Sequence, residues 1–168
     1  MNGLTLTMRA LHHGERKLEK ELLAAAERHR TDHEIHHVAT DIADWSREHA
    51  ARLADTGHHY GLDLAKPGQP TYGLMATLRE AAAGTLARRP ETGLLLLHDL
   101  HELYLAASGN SLYWEMLAQA AQATKDTRLL DLVSSCHPQT LRQVRWANTM
   151  IKNLSPQLLT GVGLLPGE

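Results

Sequence analysis

His98, Asp99, His101 and Glu102 fall within five residues of one another in the run HDLHELYLAASGNSLYW. On a helix, His98 can share a face with His101 and with Glu102, three and four residues on. Imidazole nitrogen and carboxylate oxygen together suit a divalent transition metal. The ordinary alternative is a solvated edge of the helix, with Glu102 paired to an arginine. Two distant residues strengthen the metal reading. Glu15 and His49 each sit in the middle of an otherwise apolar stripe, and a buried carboxylate must be paired, protonated or bound to a cation. A further segment offers Cys136-His137. The candidate metal ligands are therefore Glu15, His49, His98, Asp99, Glu102 and His137, with Glu102 foremost in its run, His98 next and Asp99 in support. Fe or Mn is the expected ion, with Zn as a third choice; no residue is assigned a catalytic role.

A two-metal centre inside a helical bundle takes a lone glutamate from each of two helices and a Glu-x-x-His pair from each of the others. Here Ser46 stands three residues before His49 and Ser134 three before His137. The spacing thus allows a mononuclear, incomplete or vestigial site. In the alternative reading, His49 is a core-edge histidine bonded to Glu15 or Glu102, and Cys136 is a small buried hydrophobe. HEIHH lacks the His-Glu-x-x-His order of a zinc protease, and there is no phosphate loop, dinucleotide glycine pattern or nucleophile elbow. The remaining histidine pairs, at 12–13, 33/37 and 58–59, fall near helix ends or on outward faces.

These residues need long helices to hold them. Leu11, Glu15, Leu18, Leu22 and Ala25 recur at spacings of four and three, which predicts a packed helix over 4–29. A second helix over 32–58 carries Ile35, Val38, Ile42, Trp45, His49 and Leu53. Breakers at Gly61, Pro67, Gly68 and Pro70 end the periodicity. A short helix over 71–89 follows, inside a connection long enough to cross from one end of a bundle to the other. The third long helix spans 91–123, with Leu94/Leu95, His98, Glu102, Leu105, Gly109, Leu112 and Met116 as its inward face; SGN at 108–110 is a place for a break or kink. The fourth covers 127–152, where Pro138 predicts a kink or a split. Trp45, Trp114 and Trp146 read as core or helix-interface residues. The fold class is all-α, a four-helix bundle over 1–154 followed by an arm at 155–168 that carries too many breakers to be helical.

Composition narrows the partners. With 168 residues, 43% of them hydrophobic, the chain has material for one core. Its 17 basic and 19 acidic residues leave no broad basic field for nucleic acid. No run approaches the length of a membrane span, and the start lacks the order of a signal peptide. A single cysteine gives no internal disulfide, so a cytoplasmic setting is expected. A homo-oligomer is expected, a dimer first. The 12 histidines favour metal binding or titration near neutrality without locating either.

Four short segments carry a family resemblance. LHHGERKL (11–18), HAARL (49–53), LHELYLAASGN and CHPQT (136–140) resemble, in order, the helix motifs of the bacterial stress-associated ferritin-like family, over about residues 8–152. The resemblance implies a ferritin-like bundle with a long crossover, often dimeric, with a dinuclear metal centre and a stress role, and it aligns Glu15 and Glu102 with family glutamates. Cys136 and His137 stand where that family has fourth-helix glutamates. The leading expectation is a ferritin-like protein with a transition metal inside the bundle. A non-catalytic oligomerisation or interaction protein with a vestigial site is the alternative, and a small-molecule sensor or enzyme a third.

Overall fold

Helix α1 (Gly3–Arg28) starts where the Asn2 side chain accepts a hydrogen bond from the Thr5 amide at 2.9 Å. Asp32 caps α2 (His33–Gly57) and Asp126 caps α4 (Thr127–Thr160) in the same way, each satisfying an amide that a helix start leaves free. The third helix, α3, spans Thr92–Thr124. A 3₁₀ turn at His58–Tyr60 follows α2, and Gly61 and Gly161 close their elements in left-handed conformations that glycine adopts without strain. The computed structural model describes residues 2–68 and 92–161. The short helix expected at 71–89 and the last part of the expected arm lie outside the described residues.

The four long helices form a bundle of two tightly packed pairs, α1 with α2 and α3 with α4, closed by contacts of α1 with α3 and of α2 with α4. Contacts at the two ends set the directions. Arg28 and His29, at the end of α1, meet Asp99 near the start of α3. Tyr60, just past α2, donates to Asp126 beside the end of α3 at 2.6 Å. Helices α2 and α3 therefore run the same way, and the chain between them joins opposite ends of the bundle. Among the described residues no helix is long and apolar enough to cross a membrane.

Packing corrects three local expectations: a break at 108–110, a split at Pro138 and a non-helical arm from 155 onward. Helix α3 continues unbroken through Ser108-Gly109-Asn110, and α4 through Pro138. Pro138 removes one amide from the helix ladder, but it and Ser134, whose carbonyl loses that partner, are both exposed, so water can serve the freed oxygen. At the far end, α4 runs on through Pro156 to Thr160, with Leu154 and Leu158 half-buried. Gly93 makes room there: a β-carbon on it would stand 2.6 Å from Leu158 Cδ2.

The fourth correction concerns the phase of α3. Its buried residues are Leu96, Leu100, Leu103, Ala107, Asn110, Trp114, Leu117 and Ala121. Leu94, His98, Glu102, Leu105, Leu112 and Met116, which the sequence reading places inward, are exposed. The helix has an apolar stripe on each of two opposite sides, and contact with α1 and α4 selects the one that turns inward.

Candidate functional site

Glu15 of α1 and His49 of α2 meet in the middle of the bundle, both fully buried. Helical phase requires this, since each lies on the single apolar face of its helix. His49 Nδ1 is 3.3 Å from Glu15 Oε1, close enough to pair as charges although outside hydrogen-bond geometry. The other ring nitrogen, Nε2, lies 2.8 Å from Gln139 Oε1 of α4. Both ring nitrogens thus face oxygen. From α3, Trp114 donates its indole N–H to Glu15 Oε1 at 2.9 Å. The His49 and Trp114 rings meet edge to face with centroids 5.7 Å apart. All four helices contribute to one polar layer.

Smaller polar groups extend it. Gln143 donates to the Ile42 carbonyl and to Ser46 Oγ, both at 2.9 Å, tying α4 to α2 one turn away. Asn110 packs against Gly14, where a β-carbon would stand only 2.2 Å from its side-chain oxygen. Glu15 Oε2, Asn110 Nδ2 and Thr140 Oγ1 are buried without a hydrogen-bond partner among the described residues. Each such group carries a desolvation cost, which makes this layer the chemically distinctive part of the core.

The other sequence candidates stand elsewhere. Asp99 accepts from Arg28 Nη1 and His29 Nε2, each at 2.6 Å, at the end of the bundle. Burial opposes ionisation of Asp99, but those two hydrogen bonds and the Arg28 charge outweigh it and hold the carboxyl below its usual range. His98 and Glu102 are on the outer face of α3, where Glu102 lies 3.1 Å from the neighbouring His101. His137 is half-buried and shares a 2.9 Å hydrogen bond with Ser111; burial disfavours its charged form, with Glu115 opposing. His12, expected near an outward face, is buried against the Ala65 carbonyl at 2.9 Å. Cys136 is fully buried, and that burial, against the opposing charge of Arg52 and with help from Glu15 and Glu48, pushes its thiol up to about 12.

Of the six expected ligands, then, the structure brings together Glu15 and His49. Among the described residues no point gathers three or more His, Cys, Asp or Glu side chains fit to hold a metal ion. Trp114 and Gln139 are the members of the layer that the sequence reading leaves out of the site. A signal existed for the first, because a buried tryptophan seeks an acceptor for its N–H and Glu15 is the carboxylate most in need of a donor. Gln139 carried none beyond its place next to Pro138. No protein-family model, curated protein or solved structure matches the chain.

Proposed function

We propose that this chain is a ferritin-like bundle acting as a non-catalytic assembly protein, in which the former ligand layer is a hydrogen-bonded clasp. The observation that carries this reading is the pair of residues facing Glu15 and His49 from the other two helices: Trp114 at 2.9 Å and Gln139 at 2.8 Å. A two-metal bundle takes carboxylates from those helices. An indole N–H has no lone pair to offer a cation. The donor set does not fit a two-metal centre. Three features support the ferritin-like assignment: the order of the helices, the connection between opposite ends of the bundle, and the resemblance of LHHGERKL and its companion segments. A stress role comes from that resemblance alone, and a cytoplasmic setting from the lone Cys136.

One observation favours a second reading, a single Fe or Mn ion, or Zn, held by Glu15 and His49. The buried Oε2 of Glu15 has no partner among the described residues and keeps its lone pairs. His98, Asp99, Glu102 and His137 stand outside that layer and would not complete its coordination. Metal analysis of untagged protein separates the two readings, run on the wild type, Glu15→Gln and His49→Gln. The clasp predicts the same trace content in all three. A stoichiometric ion in the wild type that both substitutions abolish refutes the clasp and establishes the metal.

A further inference from the structure

The outer face of α3 carries an apolar stripe that none of the described residues covers. Leu105, Leu112 and Met116 are 51%, 61% and 53% exposed. They lie about half a turn around the cylinder from buried Ala107 and Trp114. Apolar residues thus stand on two opposite sides of α3. Its outer stripe also has the three- and four-residue spacing of a helix–helix seam, through His101, Leu105, Gly109, Leu112 and Met116.

We propose that this stripe is a homodimer interface, in which α3 packs antiparallel against α3 of a second copy about a two-fold axis level with Asn110 and Ser111. This inference rests on the assembly reading above and gives it a surface and a partner. A two-fold contact must be self-complementary, and this register makes it so. Leu112 sits over the partner's Gly109, and Leu105 against the partner's Met116. Gly109 supplies a second, independent sign. It lies inside a helix, where glycine is costly, yet among the described residues a β-carbon there would meet nothing within 4 Å. A leucine from a second copy uses that gap.

Charge selects the direction. The antiparallel register sets Glu102 against the partner's Gln119, whereas a parallel one brings the two copies of Glu102 level with each other. The strip from Leu105 to Met116 is roughly 17 Å long at the rise of an α-helix. That is a small interface, so the dimer dissociates on dilution.

Sedimentation of the full chain over a concentration series, with two sets of variants, tests the proposal. The wild type passes from monomer to dimer as concentration rises. Leu112→Glu weakens the dimer at least about tenfold while leaving the helical circular dichroism unchanged, because the residue lies outside the core. For the register, Leu105→Cys and Met116→Cys proteins are oxidised singly and mixed. The mixture cross-links and neither protein alone does, since copies of the same residue lie roughly 16 Å apart along the axis, beyond disulfide reach. Native Cys136 does not compete, being fully buried. A monomer at every concentration overturns both the interface and the assembly reading. A dimer that survives Leu112→Glu, or that cross-links through either single variant alone, overturns the interface and leaves the assembly reading standing.

Discussion

Replacing Trp114 by Phe asks whether the polar layer holds the bundle together. The substitution keeps an aromatic ring in the core and deletes one N–H, the donor that stands 2.9 Å from Glu15 Oε1. A hydrogen bond to a charged group contributes roughly 1.5–3 kcal/mol, and the loss is felt in full when the acceptor stays buried. Glu15 is fully buried and its other oxygen already lacks a partner, so without the indole Oε1 keeps only the 3.3 Å contact with His49 Nδ1, which lies outside hydrogen-bond geometry. The smaller ring also leaves roughly 40 Å³ unfilled, which at about 24 cal/mol per Å³ adds about 1 kcal/mol. The expected loss is about 3 kcal/mol, read as a lower urea midpoint at unchanged slope by far-ultraviolet circular dichroism. A double-mutant cycle with Glu15→Gln isolates the pair, and its coupling is expected to exceed about 1 kcal/mol. A loss below about 1 kcal/mol, or strict additivity with Glu15→Gln, would refute the clasp as a stabilising unit.

Two further outcomes follow from the same geometry. Because Asp99 has a folded pKa below its unfolded value of about 3.9, its stabilisation is complete above that pH and disappears as pH falls through the folded value. Asp99→Asn should therefore be less stable than the wild type at pH 6 and converge on it in acid; a gap that stays constant down to pH about 2.5 is inconsistent with an ionised carboxylate there. Cys136, buried and with its thiol raised to about 12, should ignore a thiol reagent at pH about 8 in the folded protein and react at once in denaturant. Prompt labelling of the native protein would contradict its placement in the core.

Much of the scaffold can be read from the residues alone. Asp32 and Asp126 are cap residues before amphipathic runs, and the helices begin where those side chains find free amides. Glu15 and His49 could be placed inside from spacing, because α1 and α2 each carry one apolar stripe and a helix with one such stripe has one way to face a core. Helix α3 is the counterexample. Its apolar residues stand on two opposite sides, so their periodicity singles out neither, and His98 and Glu102 could be taken as inward on the same evidence that puts them outside. At Pro138 the helix is not split, and the carbonyl that the proline frees, on exposed Ser134, can reach water. Spacing along a chain establishes which side chains share a face. Which face meets a neighbour, and that Trp114 and Gln139 are the groups waiting there for Glu15 and His49, depends on contacts between helices distant in sequence, and only the tertiary structure decides it.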